Sequence, residues 1–215
     1  MRYYVYISDA KLEMIYEQVP VSARETIASE LNINFGIVQA KFRSETVENA
    51  RHQKILMVEN YLSDRISSIE DAKPYSYGVA EAAWGPFGDY QNIVYFGGFN
   101  RLTHFGLMGS MSNCIGVKNA DPTGYSLTGY IVYTLAKRRL LPPRTPTGFC
   151  ARVPAQELNS KALEGVVMAN QCSINPVQKI EFLSRTVISR ESSEENPYGV
   201  YIGSPIYVAL YDGGT

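Results

Sequence analysis

The sequence contains few of the residues on which enzyme chemistry most often depends. Among its 215 residues are two histidines, three cysteines and one tryptophan. With only His52 and His104 as imidazole bases, a serine or cysteine nucleophile has few partners, and residues 124–129 miss the G-x-S-x-G elbow by one position. Two separated histidines without a carboxylate cluster do not form a metal site. The sequence therefore shows no complete catalytic motif, and we expect no bound metal.

Paired cysteines, long apolar runs and a strong net charge are absent as well. Cys114, Cys150 and Cys172 are odd in number and far apart, so their spacing indicates neither a disulfide framework nor a paired-cysteine zinc site and favours reduced, mostly buried thiols. No apolar run approaches the roughly 20 residues that cross a bilayer, and the first residues lack the features of a secretory signal. A formal charge of -1 with a pI of about 6.2 disfavours nucleic acid as the main partner. We expect a cytoplasmic protein without a membrane partner.

What is present is an ordinary globular composition with a surplus of tyrosine. Hydrophobic residues make up 45% and charged residues 19% of the chain, and this length favours one large domain over two small ones. We predict a single α+β domain over residues 1–215. The 16 tyrosines suit core edges, interfaces and pocket rims alike.

Both ends of the chain have the alternation of β-strands. Residues 2–8 alternate Tyr3, Val5 and Ile7 with a second largely apolar face, and residues 206–211 have the same pattern, with Pro205 predicted at the start of the strand. We predict that these two strands share one mixed or antiparallel sheet, packed by three to four helices.

Spacing and breakers predict the other elements. Asn175 before Pro176, with Gln178 after it, has the form of a helix start. Residues 71–89 contain two prolines and three glycines, which is typical of a loop or irregular hairpin. In chain order we predict a strand over 34–45, a helix over 46–69, a loop over 71–89, a strand over 92–96, a helix over 126–139, a break at 142–148, paired helices over 158–169 and 177–187, and a surface loop over 189–196.

The densest glycine region lies between residues 95 and 116, where five glycines alternate with large apolar residues. Such density indicates backbone kinks or close approach to a ligand or another backbone. The spacing matches no phosphate-binding loop. Tight strand packing is the commoner cause of such glycines, and a ligand pocket is the functional alternative. The predicted ligand-binding residues are Gly98, His104, Gly109, Ser110 and Asn113.

Two aspartates carry a second, enzymatic hypothesis. Asp9 ends the first predicted strand and Asp89 follows a glycine in a predicted turn, with Lys11 close to the first. In palm-type nucleotidyl cyclases and polymerases, aspartates so placed hold Mg²⁺. The structural alternative is that Asp9 caps the segment after the strand and Asp89 opens a turn.

Several segments together resemble an uncharacterised family of bacterial single-domain proteins of actinomycete type, often encoded near signalling or defence genes. They are Arg2–Lys11, Tyr95–Gly98, Gly106–Ser110, Lys179–Arg185 and Gly203–Ala209. The resemblance spans nearly the whole chain and implies a single domain, but it brings no activity, cofactor or catalytic residue. Where that family leads us to expect a histidine or small polar residue after Gly109-Ser110, this chain has Ser112-Asn113, which disfavours histidine chemistry there.

Three functional hypotheses follow. The first is a non-catalytic cytoplasmic module that binds a small polar ligand or a partner protein and acts in regulation. The second is a metal-dependent enzyme acting on a nucleotide or another phosphorylated substrate through Asp9, Lys11 and Asp89. The third is a structural protein that forms homo-oligomers through its tyrosines. The sequence identifies neither the ligand nor a cofactor.

Overall fold

A computed structural model describes residues 2–30, 44–71, 73–87, 90–117, 131, 134–136 and 155–212. The chain divides into two compact units, one comprising Met1–Ile7 with Ser67–Thr215 and the other comprising Ser8–Ile66. The single-domain organisation remains a prediction, and the two units are described separately.

The larger unit contains a closed β-barrel. Its strands are β1 (Tyr3–Ile7), β3 (Tyr75–Phe87), β4 (Tyr90–Asn100), β5 (Thr103–Ser110), β6 (Val177–Arg190) and β7 (Gly199–Leu210), while the two-residue strand β2 (Ile66–Ser67) falls at the unit boundary. Five of them close in the order β3-β4-β5-β7-β6, because β6 pairs with both β7 and β3. Of these five barrel pairs, β5–β7 is parallel and the other four are antiparallel.

The barrel topology is a Greek-key arrangement. A meander of three strands, β3, β4 and β5, is followed by helix α4 (Ala155–Gln171) and then by β6 and β7. This strand order is also that of OB-fold barrels. A shared topology does not by itself assign a function.

The pairing of the terminal strands is confirmed. Strand β1 pairs antiparallel with β7, with Tyr3 opposite Leu210 and Ile7 opposite Tyr207. Strand β7 begins earlier than expected, so Pro205 lies inside it and not at its start. Proline is tolerated there because the register with β6 shifts next to it, between Leu183 and Ser184.

Two hydrophobic clusters lie on opposite faces of the barrel strands. The inner cluster includes Phe96, Phe105, Leu107, Phe182 and Tyr201, all fully buried. The strand residues that alternate with the inner cluster face outward and form the second cluster. There, Ala162 and Val166 of α4 pack with Tyr95 and Ile202. This alternation is the expected consequence of the two-residue period of a strand.

Two sequence predictions in this unit are wrong. Residues 71–89 were predicted as a loop or irregular hairpin without a long element, but residues 75–87 form the 13-residue strand β3, in which Gly78 is required because the Phe182 ring lies over it. Residues 177–187, predicted as a helix after an Asn175 cap, belong to the 14-residue strand β6. Pairing on both sides, with β3 and β7, outweighs the helical spacing of its apolar residues.

Of the remaining predictions, some are confirmed, one boundary is shifted, and others lie outside the described residues. The strand over 92–96 and the helix over 158–169 are confirmed within the longer β4 and α4. The predicted surface loop begins only after Arg190, where β6 ends. The predicted helix over 126–139 lies largely outside the described residues, of which Ile131 and 134–136 are helical. The break at 142–148 and Cys150 lie outside them as well.

The smaller unit is helical in its described part. It contains α1 (Asp9–Gln18), α2 (Val21–Glu30) and α3 (Ser44–Leu62). The helix predicted over 46–69 is therefore confirmed but ends at Leu62, before the 3₁₀ turn Ser63–Arg65. Of the strand predicted over 34–45, residues 34–43 lie outside the described residues and the last two begin α3.

Candidate functional site

The glycines predicted to line a ligand pocket lie inside the barrel instead, beneath aromatic rings. A Cβ atom on Gly98 would collide with the backbone oxygen of Glu81 and lie 3.0 Å from the Phe105 ring. A Cβ atom on Gly109 would collide with the hydroxyl of Tyr6. The space next to each glycine is thus filled by the protein itself, which accounts for the glycines by close packing.

Ser110 and Asn113 continue the same strand into a short turn. Asn113 Nδ2 donates a hydrogen bond of 3.1 Å to the Tyr6 hydroxyl, so Gly109 and Asn113 both contact Tyr6. Ser110 lies on the opposite face, since strand residues alternate, and its hydroxyl lies 2.8 Å from that of Ser112. Of the five predicted residues, Gly109 and Asn113 meet at Tyr6, whereas Gly98 and His104 lie near each other toward the opposite end of the β4–β5 hairpin.

His104 lies at the other end of β5, in an aromatic cluster formed by Phe99, His104 and Tyr198. The imidazole centroid lies 4.6 Å from the Phe99 ring and 5.7 Å from the Tyr198 ring. Its Nδ1 atom is buried and has no hydrogen-bond partner among the described residues. Burial lowers the pKa of His104 below its ordinary value of 6.5, because desolvation disfavours the charged form.

The structure describes only two of the three residues of the enzymatic hypothesis. Asp9 begins α1, and its carboxylate forms an ion pair of 2.5 Å with Arg51. Lys11 lies in the same helix, whereas Asp89 lies outside the described residues. Among the residues that the structure describes, no three His, Cys, Asp or Glu side chains are grouped to hold a metal ion.

A polar cleft opens at the end of the barrel where β4 and β6 end and β5 and β7 begin. Its volume is about 330 Å³. We call it the barrel-end cleft. It is lined by Ile69, Glu70, Asp71, Arg101, Leu102, Thr103, Ser189, Arg190, Glu191 and Ser192. Thr103 directly precedes His104, so the aromatic cluster lies at this same end of the barrel.

Two arginines stand out in the wall of the cleft. Arg101 lies in the β4–β5 turn with a φ of 53°, a left-handed conformation that is uncommon for residues other than glycine. Arg190 ends β6, and its Nε atom is buried without a hydrogen-bond partner among the described residues. A buried N–H donor without a partner is costly, and a rotation of the Arg190 side chain that opened this atom to the cleft would let a ligand or a water molecule satisfy it.

A second cleft of about 300 Å³ lies between β3 and the connection from α4 to β6. Its walls are more apolar and include Trp84, Phe87 and Tyr95, together with the exposed Cys172. The other described cysteine, Cys114, is buried, and burial raises its pKa to about 12. Of the two clefts, the barrel-end cleft better matches the polar ligand predicted from the sequence.

Sequence reasoning missed both arginines of the barrel-end cleft. Arg190 fell within a segment predicted as a surface loop, and Arg101 lay in the glycine-rich region without a motif around it. They are 89 positions apart in the sequence (190 minus 101). Only the pairing of β5 with β7 and of β7 with β6 brings them to one cleft.

Comparison with known proteins identifies the family. The profile of a family of unknown function, DUF7019, matches residues 2–212. The chain belongs to this family. The match confirms the resemblance to an uncharacterised family noted above, and it assigns no activity to the DUF7019 chain. No curated protein and no solved structure gives a significant match. Among the described residues, no helix has the length and apolar character needed to span a membrane.

Proposed function

We propose that this DUF7019 protein is a non-catalytic binding module that holds a small polar ligand in the barrel-end cleft. The observation that carries the proposal is the cleft itself, of about 330 Å³, whose wall contains Arg101 and Arg190 together with acidic and hydroxyl residues. That volume lies at the lower end of the range for small-molecule sites. The lining supplies guanidinium donors, carboxylate acceptors and hydroxyl groups, which are the groups that orient a polar ligand.

This proposal takes the place of the glycine-lined pocket predicted from the sequence. Gly98 and Gly109 are enclosed by protein atoms, whereas His104 lies at the end of the barrel that carries the cleft. We favour binding over metal-dependent catalysis because the Asp9 carboxylate is engaged by Arg51. In this proposal the protein acts as a cytoplasmic regulator in bacteria, which is supported by the resemblance of its segments to an actinomycete-type family.

A thermal-shift screen tests the proposal. Nucleotides, cyclic dinucleotides, sugars, amino acids and divalent metals are screened separately, since a ligand that prefers the folded state raises the melting temperature. We expect a hit whose shift is lost in Arg190→Gln. Arg185→Gln is the matched control, because Arg185 is exposed on the same strand and does not line the cleft.

A second variant keeps the test valid if Arg190→Gln folds poorly. Arg101→Asn removes the other guanidinium at an exposed turn, where asparagine tolerates the left-handed conformation. We expect it to weaken the same hit. The proposal is wrong if no compound stabilises the protein, or if every hit is unaffected by both cleft variants.

A further inference from the structure

The barrel-end cleft is lined by charged side chains of both signs. Arg101 and Arg190 share its lining with Glu70, Asp71 and Glu191. None of these five side chains forms an ion pair within the part of the chain that the structure describes. Glu70 is held by Asn100, whose Nδ2 donates a hydrogen bond of 3.2 Å to Glu70 Oε1.

A ligand with a single charge would meet repulsion in this cleft. An anion drawn to the two guanidinium groups would also face three carboxylates, and a cation drawn to the carboxylates would face two guanidinium groups. Juxtaposed like charges across a binding interface are a recognised source of discrimination against a wrong partner. The lining thus selects against ligands that carry one sign alone.

A ligand with both charges satisfies both sets of groups at once. The guanidinium groups of Arg190 and Arg101 carry adjacent N–H donors, whose geometry matches the two oxygens of a carboxylate. Carboxylates such as Asp71 and Glu191 supply acceptors for an ammonium group, which has donors only. The volume of about 330 Å³ suits a ligand the size of an amino acid or a short peptide.

We propose that the ligand of the barrel-end cleft is a small zwitterion, with a carboxylate bound by Arg190 and Arg101 and an ammonium group bound by Asp71 and Glu191. Free amino acids and dipeptides are the ligand class. The inference rests on the proposed function, because it names the ligand of that same cleft. It does not depend on the predicted glycine-lined pocket or on the aspartates of the enzymatic hypothesis.

Titration calorimetry with matched ligands tests the charge requirement. The probes are the free L-amino acids and glycylglycine, each compared with its N-acetylated form, which lacks the ammonium group, and its amidated form, which lacks the carboxylate. We expect at least one free zwitterion to bind and both capped forms to bind about tenfold more weakly or worse, which corresponds to the loss of about 1.4 kcal/mol for each charge contact.

Two variants assign the charges to residues. Arg190→Gln is expected to weaken the binding of the free zwitterion about tenfold. In this variant the amidated ligand should bind as tightly as the free one, because the contact to the carboxylate is already lost. Asp71→Asn is at an exposed position. It is expected to reduce the difference in affinity between the free and the N-acetylated ligand, and to leave the difference between the free and the amidated ligand unchanged. Arg185→Gln is again the control and should change none of these ratios.

The outcomes separate this inference from the proposed function. If capped forms bind as tightly as the free zwitterion, or if only a sugar or nucleotide binds in a manner that depends on Arg190, the zwitterion inference is overturned and the binding function stands. If no compound of either screen binds in a manner that depends on Arg190, both are overturned.

Discussion

The side-chain amide of Asn170 lies where a side chain on Gly97 would have to be. A Cβ atom on Gly97 would collide with Asn170 Oδ1 and with the Tyr95 ring. Asn170 Nδ2 donates hydrogen bonds of 2.7 Å to the backbone oxygen of Gly98 and 3.0 Å to that of Phe105, and its Oδ1 accepts one of 2.8 Å from the Tyr95 hydroxyl. One amide on α4 therefore joins the helix to both strands of the β4–β5 hairpin.

Removal of this amide should destabilise the protein without affecting the cleft. Asn170→Ala loses three hydrogen bonds in a partly buried site, and we expect the free energy of unfolding to fall by about 1–3 kcal/mol. Urea denaturation measures the change. Gln171→Ala, at the exposed neighbouring position on α4, is the control. If the two variants are equally stable, the bridging role is wrong.

The enclosed glycines predict a stability effect where the sequence indicated a binding effect. Gly109→Ala places a methyl group against the Tyr6 hydroxyl, and overpacking of this kind typically costs about 1–3 kcal/mol. Denaturation should show this loss, while the affinity of an Arg190-dependent ligand stays the same.

Gly116 supplies the control for Gly109. It has a φ of 83°, and no heavy atom of the described residues lies within 4 Å of the position that a Cβ atom would take there. Because asparagine accepts left-handed backbone, Gly116→Asn should be nearly neutral. A loss of affinity in Gly109→Ala with unchanged stability would instead support the glycine-lined pocket.

These glycines show what local pattern can and cannot reveal. The strands at both ends were predictable, because Val5 and Val208 each lie in an alternating apolar pattern that needs no tertiary information. Strand β3 was not predictable, since a glycine such as Gly78 usually interrupts a strand. Its place in the strand is explained only by the Phe182 ring that packs over it, on a strand distant in sequence. Strand β6 was predicted as a helix because Ile180 and Leu183 also fit a three-residue spacing, and only two paired neighbours decide the matter.

The candidate site was less predictable than the fold. Its charged residues come from three separate segments, represented by Asp71, Arg101 and Arg190, and none of the segments has a motif. Their meeting depends on barrel closure, which follows from the register of strands distant in sequence. His104 was singled out from the sequence for its chemistry, and it does lie at that end of the barrel.

An ion pair between a buried carboxylate and a partly exposed arginine on the barrel provides a further test. Arg2 Nε lies 2.6 Å from Glu181 Oε1, and the Glu181 side chain is only 7% exposed. Arg2→Ala leaves this carboxylate with the Tyr77 hydroxyl, 3.1 Å away. Breaking a fully buried pair costs about 3–5 kcal/mol. We expect a smaller loss, since the Arg2 side chain is 29% exposed.

The double variant Arg2→Ala/Glu181→Gln separates charge from packing. Glutamine removes the uncompensated charge, so the double variant should be more stable to urea than Arg2→Ala alone. Additive losses from the two substitutions would contradict the ion-pair interpretation.

The central place of β7 predicts that the protein tolerates no truncation into this strand. It pairs with β1, β5 and β6, so a chain ending at Val200 loses a partner of three strands at once. We expect that chain to show no cooperative thermal unfolding by circular dichroism. A chain ending at Asp212 keeps all the strands that the structure describes and is the control. A stable, soluble protein ending at Val200 would refute the prediction.

His104 predicts a specific pH dependence of stability. Its pKa is lowered by burial in the folded protein, whereas the unfolded chain has the ordinary value of about 6.5. Above pH 6.5 both states are neutral at this residue and its stabilising effect is fully present. As the pH falls through the lowered folded-state pKa, the unfolded state binds the proton more readily and that stability is lost.

The test compares free energies of unfolding between pH 7.5 and pH 5. His104→Gln lacks the titrating group, so wild type should lose stability relative to this variant as the pH falls. Gln171→Ala changes no titratable group, and its difference from wild type should stay constant. If the difference between wild type and His104→Gln also stays constant, then His104 is protonated as readily in the folded protein as in the unfolded chain, and its ring contacts with Phe99 and Tyr198 do not exclude the charged form.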